Sequence, residues 1–239
     1  MPPDLPIWIL VLAIIFAVIL VKEAFGGTGM NIWNVALMAR LFVFFAYPTT
    51  ISGDNVWISG FETVAAGVTP EYGWAHSLFN GLFGSVYSTS DMWWGTIPGS
   101  IGETPKLLII FGALFLIGSG IASWRIMLSM IAGAALMGML LNAWDATPFM
   151  TVPWYFQFYM GSFFFAMAYM ATDPVTACST NSGKIAYGFL IGFIGMIVRV
   201  LNPAYPEGWM LAIIFMNTFA PLLDRLVLNS HMSKRLARA

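Results

Sequence analysis

Charged side chains are scarce in this chain. Lysine, arginine, aspartate and glutamate together make up 9% of its 239 residues, whereas hydrophobic residues make up 59%. Soluble domains carry about 25% charged residues, so a chain this apolar lacks the polar surface that water requires and belongs in a bilayer. The net charge of −1 provides no excess of cations for a phosphate backbone, and we expect no nucleic-acid partner.

Cysteine and histidine are nearly absent. The single cysteine, Cys178, excludes an intrachain disulfide and any four-thiolate zinc or iron–sulfur site built from this chain alone. The two histidines, His76 and His231, have no cysteine or carboxylate at a zinc-ligand spacing. No serine or threonine has the partners of a catalytic triad. We therefore predict neither a metal centre nor a self-contained catalytic site.

Long apolar segments are abundant. Seven of them approach the length of about 20 residues that a spanning helix needs, and their continuity favours helices over a barrel of alternating strands. They are Ile7–Ala24, Ile32–Tyr47, Leu107–Ala122, Ile126–Trp144, Trp154–Ala171, Ile185–Val200 and Trp209–Leu228. The second and sixth are short and contain Arg40 and Arg199, so we expect tilted, broken or partly re-entrant helices there. The prediction is an all-α, polytopic transmembrane helical bundle of about seven spans.

Basic residues predict the orientation of this bundle, because short cytoplasmic loops and tails are enriched in lysine and arginine. A cytoplasmic C-terminus and seven spans place most cations on one side, namely Lys22, Arg125, Lys184, Lys234, Arg235 and Arg238. Lys106 is the exception, since it ends a long segment that falls outside. Three regions follow: residues 1–47 with the first spans, the extracytoplasmic loop 48–106, and the five-span bundle 107–239 with its basic tail.

A glycine-rich stretch, "KEAFGGTGMN", occupies residues 22–31 between the first two spans. Small residues such as Gly26 and Gly27 let a backbone approach a phosphate or a ring closely. It is not a P-loop, because no Gly-Lys-Ser/Thr follows, and no strand precedes it as a dinucleotide fingerprint requires. The alternative is a tight turn between two packed helices.

Several polar side chains near the spans are candidates for ion or ligand binding. In "MATDPV", Thr172 and Asp173 offer hard oxygens that suit a small cation, although helix capping explains them equally well. Asp224 lies in the last span, where a carboxylate is costly unless it is paired or hydrated. It is therefore either part of an ion path or the partner of Arg225. Arg40 also lies within a span, so it too is either a functional residue or one that is paired locally.

Two further features have structural interpretations. Arg199 lies near the outer end of its span, where Glu207 is the obvious partner for an ion pair or a clamp for an anion. The glycines of the same span are expected to permit close helix contact; they are Gly188, Gly192 and Gly195. The residues by themselves leave a transporter or channel without a cofactor, a redox subunit and an assembly scaffold open.

Seven ordered blocks also carry a resemblance that covers nearly the whole chain. They are "KEAFGGTGMN", "FFAYPTTISGD", "PGSIGET", "ASWRI", "MATDPV", "RVLNPAYPEGWMLAI" and the ending "FAPLLD…KRLAR". Together they resemble the B subunit of the sodium-translocating NADH:quinone oxidoreductase. In weaker form they are similar to the D subunit of the related Rnf electron-transport complex, but "NPAYPEG" and "KRLAR" favour the former.

The resemblance implies a membrane subunit, not active alone, of a six-subunit NADH:ubiquinone reductase in the bacterial inner membrane. Such a complex passes electrons from NADH through flavins and iron–sulfur centres of its subunits to ubiquinone and drives sodium outward. Its B subunit carries an FMN bound through its phosphate to a threonine, which makes it a phosphoryl-threonine, and a non-covalent riboflavin. A separate flavin transferase attaches the FMN.

The residues that match the flavin attachment motif lie in "AGVT", residues 66–69. The family motif reads Ser-Gly-Ala-Thr, so Thr69 and Gly67 match it while Ala66 and Val68 depart from it. Trp74 is expected to pack on the flavin ring. The other expected cofactor contacts are Arg40, Gly26, Gly27 and Thr172. The sodium path is expected to use Asp173 and Asp224.

Overall fold

The structure, a computed structural model, describes most of the chain outside the long polar segment. The described residues are 1–2, 5–51, 89–96, 100, 102–147, 150, 152–159, 161–201 and 208–236. Every regular element within these ranges is a helix. This observation confirms the all-α class that the continuous apolar segments of the sequence predicted.

The helices are numbered in chain order over the described ranges. They are α1 (Ile7–Phe16), α2 (Val35–Ala46), α3 (Pro48–Ile51), α4 (Thr89–Trp94), α5 (Lys106–Gly118), α6 (Trp124–Trp144), α7 (Phe156–Tyr159), α8 (Phe163–Phe165), α9 (Asn181–Leu201) and α10 (Gly208–Leu236). Two helices continue in other geometries: α1 as the π-helix Ala17–Lys22 and the 3-10 turn Glu23–Phe25, and α8 as the π-helix Ala166–Met170. Helices α3 and α4 lie within residues 48–106, which the sequence predicted to be a loop.

Four of these helices are long and apolar enough to cross a membrane. They are Ile7–Phe25, Trp124–Trp144, Asn181–Leu201 and Gly208–Leu236, while α2 and α5 are shorter apolar helices. Of the three alternatives expected for the sixth segment, the broken helix is wrong, because α9 runs without interruption for 21 residues. Its first turn is capped by Thr180, whose hydroxyl oxygen accepts a hydrogen bond of 3.1 Å from the amide of Gly183.

The fifth apolar segment is the broken one. Gly161 has φ +67°, a left-handed conformation that separates α7 from α8. A side chain at this position would meet Arg199, since an added Cβ would lie 2.8 Å from Nη1. The break therefore leaves room for a buried guanidinium, and the sequence pattern alone did not locate it.

The core of the bundle is formed by α6, α9 and α10, where helices approach closely at glycines. A Cβ at Gly192 would overlap the backbone of Met130, and a Cβ at Gly188 would overlap Ser129. Gly195 packs against the buried ring of Trp209. These contacts confirm the sequence prediction that glycines of this span permit close helix packing.

The successive segments run in alternate directions and define two ends of the bundle. At one end, called the Lys22 end, Lys22 and Asp173 line a common cavity and Asp224 bonds Thr180. At the other, called the Arg199 end, Arg199 bonds Gln157. The helix order together with the cavity lining places Arg125 and Lys184 at the Lys22 end and Lys106 at the Arg199 end.

Candidate functional site

A cavity of about 500 Å³ opens at the Lys22 end between the loop after α1 and the loop after the π-helix Ala166–Met170. We call it the Asp173 cavity. Its polar lining residues are Lys22, Thr28, Asn31, Asn34, Thr172 and Asp173. Apolar walls come from Val18, Leu116, Ile121 and Tyr169. The cavity thus brings together the two motifs "KEAFGGTGMN" and "MATDPV", which are about 140 residues apart in the chain.

Asn34, three residues after the first motif, connects the start of α2 with the second motif. Its Oδ1 accepts hydrogen bonds from the amides of Ala36 at 3.0 Å and Leu37 at 3.2 Å, which caps α2. Its Nδ2 donates to Oδ2 of Asp173 at 3.2 Å. The hydroxyl of Thr176 donates to the same carboxylate oxygen at 2.9 Å. Both ends of the Asn34 amide are used, so the carboxylate of Asp173 is held at the cavity wall.

The glycine-rich stretch forms the tight turn that was one of its two interpretations, and another of its glycines borders the Asp173 cavity. Gly26 and Gly27 have φ +113° and +91° and form the turn that ends the first span, where the amide of Gly27 donates to the carbonyl of Lys22 at 3.0 Å. Gly29, with φ +92°, lines the cavity, and an added Cβ would meet no atom within 4 Å. Gly29 therefore lets the backbone border the cavity.

Thr172, a candidate ligand residue from sequence, lines the same cavity. Its hydroxyl donates a hydrogen bond of 2.7 Å to the carbonyl of Ala168, one turn earlier. Sequence reasoning missed Lys22, Asn31 and Asn34 as lining residues. An asparagine immediately before an apolar run is a recognisable helix cap, so the capping role of Asn34 could have been predicted from sequence. Its contact with the carboxylate of Asp173, 139 residues away, could not.

Asp224 lies away from the cavity and anchors α10 to the start of α9. Its carboxylate accepts hydrogen bonds from the amides of Ser179 at 2.7 Å and Thr180 at 3.0 Å, and from the Thr180 hydroxyl at 2.5 Å. A carboxylate at a helix N-terminus is favourable because it faces the positive end of the helix dipole. Arg225, considered as a partner from sequence, is exposed, and these three bonds of Asp224 go to the α9 cap.

A second cavity of about 310 Å³ adjoins the first and shares Asn34, Ala36 and Tyr169 with it. We call it the Arg40 cavity. Arg40 is buried there, and its Nη2 donates to Oγ of Ser100 at 3.4 Å. Arg40, which the sequence predicted as a cofactor contact together with Thr172, thus lines a different cavity from Thr172.

Two more buried cations lie at the Arg199 end. Arg199 donates from Nε to Oε1 of Gln157 at 3.0 Å, and Lys106 donates from Nζ to the carbonyl of Glu103 at 3.5 Å. Both cations are less than 3% exposed. Glu207, the partner that the sequence suggested for Arg199, lies outside the described residues.

The attachment motif itself also lies outside the described residues. This applies to Thr69, Gly67 and Trp74, which fall within residues 52–88. The structure does place both neighbours of that segment at the Arg199 end, since α3 begins after Tyr47 at the end of α2 and Trp93 of α4 packs its ring 5.2 Å from that of Tyr159.

Comparison with known proteins identifies strong similarity along the whole chain. The model of the NQR2, RnfD, RnfE family matches residues 1–233. The B subunit of a Na(+)-translocating NADH-quinone reductase from Yersinia pestis is 47% identical over 99% of the chain, and those from Chromohalobacter salexigens and Stutzerimonas stutzeri are 45% identical over 100%. The chain spans 58–59% of the length of these relatives.

Proposed function

The chain belongs to the NQR2, RnfD, RnfE family, and from that membership and the Asp173 cavity we propose that it is an electron-carrying subunit of a sodium-translocating NADH:ubiquinone reductase. Relatives 45–47% identical to it are named as the B subunit of a Na(+)-translocating NADH-quinone reductase. The proposed protein works only within the complex, with flavin- and iron–sulfur-carrying partners. The complex resides in the bacterial inner membrane, surrounded by lipid.

The Asp173 cavity is the observation that carries this proposal. A flavin has flat apolar faces and a polar edge of carbonyl and ring nitrogen atoms, and the cavity offers apolar walls together with amide, ammonium and carboxylate groups. Its volume of about 500 Å³ lies in the range of small-molecule sites. We assign the non-covalent riboflavin to this cavity, where Asn31 and Lys22 would contact the polar edge and Tyr169 a ring face.

The covalent cofactor of the proposal is FMN, attached through its phosphate to Thr69 by a flavin transferase. The loop 48–106 is then extracytoplasmic and the C-terminus cytoplasmic, as the positive-inside distribution favours. When bound, the flavins accept and pass on electrons that originate at NADH and end on ubiquinone. In this proposal Gly67 lets the transferase approach the acceptor and Trp74 packs on the ring.

The sodium path of the proposal includes Asp173 and Asp224, whose carboxylate oxygens suit a hard cation. Asp173 borders the riboflavin cavity, so added negative charge in that cavity lowers the energy of a cation near its carboxylate, the more so in a low-dielectric surrounding. Electron transfer and cation binding would therefore be coupled at the Asp173 cavity. Asp224 lies behind the α9 cap and would act at a later position on the path.

The covalent flavin is tested by in-gel fluorescence of the denatured chain, produced in its complex together with the transferase. We expect a fluorescent band for the unaltered chain and none for Thr69→Val. A dark unaltered band contradicts the attachment and favours a transporter or channel without a cofactor, which would be colourless, or an assembly scaffold.

The non-covalent flavin is tested in the Thr69→Val background, where flavin released by denaturing the purified complex is identified and quantified by chromatography. We expect Asn31→Leu to raise the Kd for riboflavin about tenfold, since one hydrogen bond to a buried ligand contributes roughly 1.4 kcal/mol, so that less riboflavin remains bound after purification in flavin-free buffer. Asn229→Leu, at an exposed position in the C-terminal part of α10, is the matched control. Equal riboflavin in both variants contradicts the assignment of riboflavin to the Asp173 cavity.

A second candidate is an electron-transport subunit of an Rnf-type complex, because the matching family model includes RnfD. The two candidates differ in their electron acceptor. Quinone reduction by NADH that depends on sodium favours the first, and its absence in a flavin-loaded complex favours the second.

A further inference from the structure

Two buried polar side chains in the core of the bundle have no role in the function proposed above. Tyr187 of α9 and Asn217 of α10 are 0% and 1% exposed, and the Tyr187 hydroxyl lies 2.5 Å from the side-chain amide of Asn217. Both belong to helices long and apolar enough to cross a membrane. Burying an amide and a hydroxyl there is costly unless their hydrogen bonds are satisfied, so the remaining partners of Asn217 are informative.

The neighbours of the Asn217 amide group fix its orientation. The carbonyl of Ile213 can only accept a hydrogen bond, and the backbone amide of Asn34 can only donate one. Both are satisfied when Nδ2 of Asn217 donates to the Ile213 carbonyl at 3.2 Å and to the Tyr187 hydroxyl, while Oδ1 accepts from the Asn34 amide at 3.2 Å. Asn217 thus joins α9 and α10 to the residue that caps α2.

Asn34 is held by all four of its polar groups. Its backbone amide donates to Asn217, and its Oδ1 accepts from the first amides of α2. Its carbonyl accepts from the amide of Met38 at 3.0 Å, and its Nδ2 donates to Asp173 at 3.2 Å. The residue that forms part of the wall of the Asp173 cavity is therefore tied to the core of the bundle through Asn217.

The preceding residue makes a second contact with α10. Nε1 of Trp33 donates to Oγ1 of Thr218 at 2.9 Å, so two consecutive residues before α2 bond two consecutive residues of α10. The Trp33 contact is exposed, and water competes for its donor and acceptor. The contact at buried Asn217 is therefore expected to contribute more to the position of Asn34.

We propose that Asn217, oriented by the Tyr187 hydroxyl, is a positioning residue that fixes Asn34 and through it the carboxylate of Asp173, and so sets the affinity of the Asp173 cavity for the non-covalent flavin. This rests on the function proposed above, which supplies the flavin. Asn217 itself lies outside the described lining of the cavity and acts through Asn34. A wall that is already ordered before the ligand arrives costs less to order on binding.

Equilibrium dialysis of the Thr69→Val complex against graded concentrations of riboflavin, quantified by chromatography, tests the proposal. We expect Asn217→Leu to raise the Kd for riboflavin about fivefold, because the Asn34 amide loses its acceptor. We expect Tyr187→Phe, which keeps the ring and removes the hydroxyl that orients Asn217, to raise the Kd about threefold. The milder Tyr187→Phe variant decides the matter if Asn217→Leu prevents assembly of the complex.

Ser129→Ala is the matched control. It also removes a buried polar group from the core, but the Ser129 hydroxyl donates to the carbonyl of Ile126 in its own helix at 3.1 Å. We expect the Kd for riboflavin to stay unchanged in this variant. A general loosening of the core would raise the Kd in Ser129→Ala as well and would contradict a specific role of Asn217.

A double-mutant cycle shows whether Asn217 acts through Asn34. In an Asn34→Ala background the side-chain bond to Asp173 is already absent, so we expect Asn217→Leu to add less than about twofold to the Kd. Hydrogen exchange of residues 31–38 provides a measurement that needs no flavin. We expect exchange at the start of α2 to be about tenfold faster in Asn217→Leu, because the Asn34 amide is released, and unchanged in Ser129→Ala.

The outcomes that overturn the inference differ from those that overturn the proposed function. An unaltered complex that binds riboflavin, with the same Kd in Asn217→Leu or in Tyr187→Phe, overturns the inference alone. Unchanged hydrogen exchange in Asn217→Leu does the same, and so does a full fivefold effect that persists in the Asn34→Ala background. An unaltered complex that binds no riboflavin overturns the proposed function and the inference together.

Discussion

At the scale of single residues, Asp173 and Asp224 illustrate how two similar carboxylates acquire different surroundings. Asp173 borders a cavity and is held by Asn34 and Thr176, whereas Asp224 accepts its bonds from the cap of α9. We expect Asp224→Asn to lower the free energy of unfolding by about 1–2 kcal/mol, because the helix dipole and two amide donors lose their charged acceptor. Thermal denaturation of the purified complex measures this.

Asp173→Asn provides the contrast, because it changes a residue at the cavity rather than at a helix cap. We expect it to raise the sodium concentration needed for half-maximal quinone reduction while changing the thermal midpoint less than Asp224→Asn does. Titrating the quinone reductase activity of both variants with sodium shows which of the two carboxylates lies on the sodium path. If Asp224→Asn leaves the sodium dependence unaltered, Asp224 is removed from the path and keeps only its anchoring role.

Cys178 yields a prediction of pH dependence. Burial, with a further contribution from the negative charge of Asp224, raises the pKa of its thiol to about 12, and the thiol donates to the carbonyl of Ala220 at 3.4 Å. Below that pKa the folded protein keeps the proton, whereas an exposed cysteine ionises near a pH of about 8.5. We expect maleimide labelling at a pH of about 8–9 to be slow in the native protein and fast after denaturation; fast native labelling contradicts this burial.

At the scale of helices, glycine contacts decide how closely α6 and α9 approach. An added methyl group at Gly192 would overlap the backbone of Met130, which cannot move without shifting α6. We expect Gly192→Ala to destabilise the protein by roughly 1–3 kcal/mol, the usual effect of overpacking. Gly118→Ala is the matched control, because Gly118 is exposed and an added Cβ meets no atom within 4 Å. Similar thermal midpoints for the two variants would refute the close contact.

At the scale of the whole molecule, the distribution of cations predicts the orientation of the bundle. In a Cys178→Ser background, we expect a membrane-impermeant maleimide to label Ser77→Cys in intact cells after removal of the outer membrane barrier, and to label Ser233→Cys only after lysis. The physical reason is the cluster of lysines and arginines at the Lys22 end, which stays on the cytoplasmic side. Labelling of Ser233→Cys in intact cells would invert the assignment.

The sequence by itself determined the helical membrane class, because 59% hydrophobic residues arranged in continuous runs have no other stable form. It also predicted the close helix contacts at the glycines of α9 and singled out Thr172 and Asp173 as candidate ligand residues. Small residues and hard oxygen ligands can be recognised from the local sequence alone. The family resemblance could also be recognised from sequence, because seven sequence blocks occur in the order typical of the family.

Only the tertiary structure decided which of these residues meet. Asn34 and Asp173 lie 139 residues apart and touch, and no local pattern encodes such a contact. Gly161 breaks an apolar run that hydropathy predicts as one helix, because the buried guanidinium of Arg199 occupies the space beside it. Asp224 looked like a residue of an ion path, yet its position beside the first turn of α9 makes it an anchor as well. Contacts between distant segments depend on how the helices pack, and that packing placed two cavities side by side.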